Sequence, residues 1–259
     1  MSMSYHSPPE RAVREADASL DDSFPGMTLR VPLIGQWPSG LRFTLGGEAG
    51  WLQDDPRRIR RIHERAAAIF EACFLPDDEG FVVAQFEQPT AMVLDEPISP
   101  DDLKVGARVP IERARPIRSP LVADLVELRP YVQDSVLSSA AKRVGVNLHG
   151  TFSERYESNE DSNDTPEVGD DIPYLDAILP ITPRRLDYRR LLEATANRET
   201  PAKPKISCQL FFVNTTTALI YNIPDDRGLD IVGSTSAVLR PLAASFIDWL
   251  TSGYLPPSD

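Results

Sequence analysis

The chain has 259 residues, 41% of them hydrophobic and 25% charged, which is the composition of an ordinary globular protein and excludes collagen, coiled coils and disulfide scaffolds. Its formal net charge is -12, which argues against a nucleic-acid surface because phosphate binding depends on clustered lysine and arginine. No apolar run is long enough to predict a membrane span, and the N-terminal residues lack the apolar core of a signal peptide. We therefore expect a cytoplasmic protein that binds neither nucleic acid nor membrane.

The N-terminal residues 1–22 are polar and carry no sustained apolar period, so they predict a flexible arm, although Ala12, Val13, Ala16 and Leu20 could lie on a short helix. Residues 23–259 are expected to form a single domain. Its first strand is predicted at 41–45, where Leu41, Phe43 and Leu45 alternate with polar residues.

A helix is predicted from Pro56 to Leu75, with Asp54 or Asp55 as its N-cap. One stripe of this helix is apolar, which predicts packing against a sheet. A largely apolar strand follows at 81–87, so the first block has the order strand, helix, strand.

The middle of the chain, about 88–200, predicts a variable insertion, because five prolines between Gln88 and Ser119 prevent long regular elements. A helix near 122–128 and a strand near 144–149 are the elements expected there. Residues 154–176 hold nine acidic side chains against one arginine, which predicts a solvated acidic loop. This loop is either a solubilising insertion or a surface that binds a basic protein, and its candidate contacts are Glu157, Glu160, Asp161 and Asp164.

The C-terminal block predicts a three-stranded antiparallel meander at 206–213, 218–223 and 229–232, followed by a helix that continues to about Leu250. Pro241 is expected near the start of that helix. Together with the first block, the meander and its helix predict an α+β fold around one shared core.

Few residues suggest catalysis or metal binding. Cys73 and Cys208 each lie inside an apolar run, which predicts buried, reduced thiols. His6, His63 and His149 accompany no nucleophile motif, and the cysteines and histidines lack ligand spacing. We therefore predict no metal and no cofactor, and we favour a protein that is not an enzyme.

The turn after the second meander strand contains the most polar short cluster, Asp225, Asp226, Arg227 and Asp230. Aspartate and glycine are turn formers, so these residues could simply fix the turn, with Gly228 supplying a positive φ. They could also bind a partner. A further alternative is an enzyme with a carboxylate and arginine site at this turn, assisted by Arg42.

The start of the predicted 56–75 helix carries Arg57, Arg58, Arg60 and Arg61. This cluster could bind an anion or an acidic partner, but a solvated helix face explains it more simply. We therefore expect these arginines to lie on a solvated helix face.

Two groups of residues resemble a bacterial family, domain-of-unknown-function family number 3885. The C-terminal group is Phe211-Phe212-Val213-Asn214, Asp225-Asp226-Arg227-Gly228-Leu229-Asp230-Ile231, Leu239-Arg240-Pro241-Leu242 and Trp249, and the N-terminal group is Phe24-Pro25-Gly26, Gly40-Leu41-Arg42-Phe43, Gly46, Arg65-Ala66, Phe70-Glu71 and Phe74. Pro224 departs from the pattern, because the family usually has an aromatic residue there. The resemblance implies a fold unit and no reaction. Size and charge also suit antidote proteins that neutralise toxins, so the leading hypothesis is an immunity-like module that binds a basic protein partner.

Overall fold

The computed structural model describes residues 8–46, 54–87, 127–133, 135–136, 141–147 and 172–251. Its α-helices are α1 (Pro8–Ser23), α2 (Pro56–Cys73), α3 (Tyr188–Ala196) and α4 (Ser236–Ser245). Its strands are β1 (Gly40–Thr44), β2 (Gly80–Glu87), β3 (Ala141–Asn147), β4 (Ile172–Ile181), β5 (Gln209–Asn214), β6 (Leu219–Asn222) and β7 (Gly228–Gly233). Short 3-10 turns lie at Pro183–Arg185, Asn197–Glu199 and Ile247–Trp249.

The strands form one antiparallel sheet in the order β1-β7-β6-β5-β2-β4-β3. The meander β5-β6-β7 therefore lies between β1 and β2, and these two strands run in the same direction with α2 as their connection. The predicted α+β class, in which the N-terminal strand-helix-strand unit and the C-terminal meander share a core, is confirmed.

Both faces of the sheet are covered. The larger apolar cluster lies on the face where α2 packs, and at its centre Phe70 contacts Phe74, Tyr188, Phe212 and Tyr221. A smaller cluster on the opposite face contains Leu33, Phe211, Ile220 and Val232 together with residues from α1. Because successive strand residues point to opposite faces, Leu229 and Ile231 belong to the first cluster whereas Asp230 faces the second.

Helix α2 begins as predicted. Asp55 is its N-cap and accepts a hydrogen bond from the Arg57 N–H at 2.8 Å, and Pro56 occupies the first turn, where a missing N–H costs least. The helix ends at Cys73, two residues before the predicted Leu75. The sequence-derived stripe is buried, apart from Ile59, which is partly exposed.

The N-terminal arm prediction is wrong for residues 8–22, which belong to α1. Ala16 and Leu20 are buried in the smaller cluster, and so is Phe24 immediately after the helix. Four apolar positions on an otherwise charged segment were too weak a pattern to predict this docking, which depends on an apolar sheet face that the local sequence does not reveal.

The middle of the chain contributes to the sheet rather than standing apart from it. The strand predicted near 144–149 is present as β3, but β4 and α3 were not predicted. Residues 172–176 lie in β4, so the acidic loop is shorter than predicted. Residues 154–171, including Glu157, Glu160, Asp161 and Asp164, lie outside the described residues, as does most of the helix predicted near 122–128.

The last helix is shorter than predicted. Helix α4 ends at Ser245, and a separate 3-10 turn replaces its expected continuation to Leu250. Pro241 lies inside α4 rather than at its start. Beyond the turn, Leu250 forms a bridge with Phe43 and the Thr251 N–H donates to the Arg42 carbonyl at 2.8 Å, so the chain covers the outer edge of β1.

Strand directions gather several features at one end of the sheet, which we call the turn end. The β6–β7 turn (223–227) lies there, together with the start of α2 and the end of α3. Strand β3 ends and β4 begins at the same end. Asp176 is level with Gln209, the first residue of β5, so the four residues 172–175 extend past β5 by about 13 Å.

The β5–β6 turn offers a test of backbone strain. Ala218 has a φ of 53°, the left-handed region that favours glycine. We expect Ala218→Gly to raise the free energy of unfolding by about 1 kcal/mol and the melting temperature by about 2–4 °C. Thermal unfolding measures this, and a lower melting temperature would contradict it.

Candidate functional site

Asp225 organises the β6–β7 turn. Its Oδ1 accepts hydrogen bonds from the N–H groups of Arg227 (2.8 Å) and Gly228 (3.0 Å), and its Oδ2 lies 2.7 Å from Nη2 of Arg227. The hydrogen bonds to the Asp225 side chain, and the opposite charge of that carboxylate, raise the pKa of the Arg227 guanidinium. Gly228 does not have the predicted positive φ, because among the described glycines only Gly26 and Gly35 do. The turn is therefore fixed by the Asp225 carboxylate.

Asp226 faces the interior and pairs with an arginine that the sequence analysis placed on a solvated face. Its Oδ2 lies 2.7 Å from Nη1 of Arg58, and Nη2 of Arg58 donates to the Asp226 carbonyl at 3.5 Å. Asp226 is 2% exposed and Arg58 is 6% exposed. Neither Nη1 nor Oδ2 has another hydrogen-bond partner among the described residues, so each charge depends on the other.

Gly46 makes room for the buried guanidinium. A Cβ at Gly46 would lie 2.7 Å from Nη2 and 2.9 Å from Nε of Arg58. Next to it, the Leu45 N–H donates to the Arg227 carbonyl at 2.8 Å and holds the end of β1 against the turn. The glycine after β1 is therefore part of the Arg58 site.

Asp230 pairs with Arg42 across β1 and β7. Nε and Nη2 of Arg42 lie 2.7 Å and 3.0 Å from the two carboxylate oxygens, and the Leu33 N–H donates to Oδ2 at 3.2 Å. Asp230 is fully buried, whereas the Arg42 side chain is 28% exposed. Burial raises the pKa of Asp230 above its ordinary value, although Arg42 and the Ile34 and Leu33 N–H groups act in the opposite direction.

The structure does not join the predicted residues in one site. Asp226 faces α2, Asp230 points to the opposite face of the sheet, and the partly exposed Asp225 lies on the turn between them. Each carboxylate has its own arginine partner, Arg58, Arg42 and Arg227 respectively. The arrangement favours structural ion pairing over the convergent carboxylate and arginine site of the enzyme alternative.

Two residues at the turn end were not predicted. Arg198 donates hydrogen bonds to the Pro224 carbonyl and to the Gln209 side chain, and so ties the end of α3 to the turn. Burial raises the pKa of Glu199, and the negative charges of Asp225 and Asp226 raise it further. Arg198 and Arg227 act on this pKa in the opposite direction. No local pattern could have revealed this, because the groups are about 25 residues apart in the chain.

The arginine cluster at the start of α2 divides in two. Arg57 is exposed and pairs with Asp55, whereas Arg58 is buried, so the solvated-face prediction is wrong for Arg58. Arg58 is buried because the Asp226 carboxylate and the space beside Gly46 compensate its charge and accommodate its size. Farther along α2, Arg65 donates to the Thr44 carbonyl at 2.7 Å and lies over the Trp249 ring.

His63, Cys73 and Cys208 make contacts that are typical of structural residues and not of catalytic ones. Nε2 of His63 lies 2.8 Å from Oδ1 of Asn197, while Nδ2 of Asn197 donates to the Pro204 carbonyl. Cys73 and Cys208 are buried and unbonded, as predicted, and burial raises the pKa of Cys208 to about 12. Within the described ranges no group of three or more histidine, cysteine or acidic side chains could hold a metal ion, and no helix there could cross a membrane. His6 and His149 lie outside these ranges.

Comparison with known proteins gives a family but no activity. The family described as "Domain of unknown function (DUF3885)" matches residues 17–96 and 135–253, which together exceed half of the chain. The "Uncharacterized protein YnaE" of Bacillus subtilis (strain 168) is 24% identical over 241 residues, covering 89% of this chain and 94% of that protein. No solved structure matches the chain.

Proposed function

Because the chain belongs to the family described as a domain of unknown function, DUF3885, whose description names no reaction, we propose a function from the chain's own residues: it is a non-catalytic, immunity-like module that binds a basic protein partner in the cytoplasm. The proposed contact surface combines the acidic segment 154–171 with the turn at Asp225–Asp230. A basic partner would be attracted by the acidic segment and would dock against the turn end.

One observation carries the proposal. Asn147 and Ile172, the strand residues on either side of the connection that contains the acidic segment, lie at the turn end of the sheet, as does the Asp225 turn. The charge of the segment supports it, because residues 154–171 carry eight acidic side chains against Arg155. The structural pairing of Asp225, Asp226 and Asp230 supports binding over catalysis, since a general acid or nucleophile must be available to a substrate.

The test is capture of partners by the tagged full-length protein from lysate of its own cells at low and high salt, followed by mass spectrometry. We expect one basic protein at near one-to-one ratio, captured at low salt and weakened at high salt because salt screens exposed charges. The affinity of that purified partner is then measured with two neutralised variants. The first carries Glu157→Gln, Glu160→Gln, Asp161→Asn and Asp164→Asn.

The matched control carries the same charge change at the opposite end of the sheet, through Glu71→Gln, Asp77→Asn, Glu79→Gln and Asp187→Asn, all exposed. Each exposed charge pair contributes roughly 0.2–1 kcal/mol, so four lost pairs should weaken binding by the first variant at least about fourfold, and we expect the control to bind like the natural protein. Equal weakening in both variants, or no basic partner at either salt, would overturn the proposal.

A further inference from the structure

The buried polar pair on the smaller-cluster face of β6 and β7 is not used by the proposed binding surface. Asn222 and Asp230 are paired across these strands and point to the same face of the sheet, and both are fully buried. Directly opposed residues have Cβ atoms about 4.5–5.5 Å apart, which places the amide and the carboxyl within reach of each other.

The orientation of the Asn222 amide is fixed by the hydrogen bond that its Nδ2 group donates. Nδ2 donates to the Leu210 carbonyl at 2.7 Å, so the amide cannot be reversed without facing two oxygens together. Its Oδ1 then faces away from Leu210 and has no hydrogen-bond donor among the described residues. A buried acceptor without a donor is costly, and the neighbouring group that can supply a hydrogen is the carboxyl of Asp230 in its protonated form.

The charges around Asp230 are few. Arg42 reaches it from β1, and the Leu33 N–H reaches it from residues 24–37, which cover this face. Arg30 is the one charged residue in that covering segment, and no ion pair or hydrogen bond joins it to Asp230. Helix α1 packs instead near β3 and β4.

We propose that the Asp230 carboxyl binds a proton in the folded protein and donates it to Oδ1 of Asn222, which makes this pair a buried proton switch beneath residues 29–37. The remaining lone pairs of the carboxyl still accept from Arg42 and from the Leu33 N–H. Deprotonation leaves two acceptors facing each other in the core and weakens the packing of the segment that includes Leu33. The raised pKa of Asp230 is consistent with this arrangement.

The sign of the pH dependence distinguishes the switch from a simple ion pair. If the folded protein holds the proton more tightly than the unfolded chain, stability from this group is present at low pH and is lost as pH rises through the folded-state pKa. The window lies above about 3.9, the ordinary aspartate pKa. An ionised aspartate stabilised by Arg42 would lose stability as pH falls.

Equilibrium unfolding of the natural protein and of Asp230→Asn from about pH 8 to about pH 5 is the experiment. We expect the folding constant of the natural protein relative to Asp230→Asn to rise on acidification, by up to about tenfold per pH unit within the window. A constant ratio, or one that falls on acidification, would overturn the proposal.

Asn222→Leu removes both the proposed proton acceptor and the hydrogen bond to Leu210, and the pH dependence of its stability tells these two losses apart. Loss of that bond alone shifts stability equally at every pH, whereas loss of the proton acceptor also reduces the pH dependence. Infrared difference spectra give a second readout that does not require Asp230→Asn to fold. We expect a protonated carboxylic acid band in the natural protein above the ordinary aspartate pKa, and its absence there would refute the switch.

Discussion

Asp226→Asn is expected to lower the free energy of unfolding by about 3–5 kcal/mol, because it leaves the Arg58 guanidinium charged, buried and without its counterion. Asparagine is nearly the size of aspartate, so the loss arises from charge rather than from a cavity. Denaturant unfolding measures the effect. Replacing both partners, as Arg58→Met with Asp226→Leu, should cost less than Asp226→Asn alone, because no uncompensated charge remains.

Asp225→Asn provides the matched control one residue away. The amide oxygen of asparagine can still accept from the Arg227 and Gly228 N–H groups, and the lost ion pair is exposed, so the expected cost is below about 1 kcal/mol. Equal stability of Asp226→Asn and Asp225→Asn would show that the buried pair contributes nothing. If Asp226→Asn remained stable but lost a measurable enzymatic turnover, the alternative of a carboxylate and arginine enzyme would replace the binding proposal.

Gly80→Ala is expected to cost more than about 2 kcal/mol, because the added Cβ would lie 2.1 Å from the Val213 carbonyl oxygen. Gly80 is paired with Asn214 in β5 and with Ile181 in β4, so the obstacle is backbone rather than a flexible side chain. Relief requires β2 to move away from β5 in the centre of the sheet. Thermal unfolding with a circular dichroism signal for the sheet tests the expectation.

Gly228→Ala is the control for a general effect of adding a methyl group to a strand. At Gly228 the nearest atoms to a new Cβ are Nε of Arg42 at 3.7 Å and its Cδ at 3.8 Å, which are ordinary contacts, and φ is not positive. We expect a change within about 0.5 kcal/mol there. A similar loss in both variants would mean that close approach at Gly80 is not the cause.

Comparing variants of the buried ion pairs with variants of the acidic segment separates effects on stability from effects on binding in a functional assay. A change at Asp226 alters the packing of α2 against the turn, whereas Glu157 and Glu160 lie outside the described residues. We expect variants of the acidic segment to retain the unfolding transition of the natural protein, and where they do, loss of partner affinity can be assigned to the contact itself.

Local sequence patterns were sufficient to predict the strands and helices that bury one face. Alternation at Leu41, Phe43 and Leu45 predicted β1, and the stripe ending at Phe70 and Cys73 predicted α2, because side-chain periods of 2 and 3.6 record which face meets the core. The hairpin and meander followed from β-branched strands and turn residues in the same way. The docking of helix α1 and the presence of strand β4 were missed because both depend on contacts with the completed sheet.

For the candidate site, the sequence by itself determined which charged residues lie beside the predicted strands and that residues 154–171 are acidic. Only the tertiary structure decided which charges meet: Arg58 with Asp226 and Arg42 with Asp230, partners 168 and 188 residues apart. It also decided that adjacent turn aspartates differ, Asp225 partly exposed and Asp226 buried. The physical reason is that a carboxyl group enters the core where a polar or charged partner arrives from another element, and that arrival is set by strand order and register.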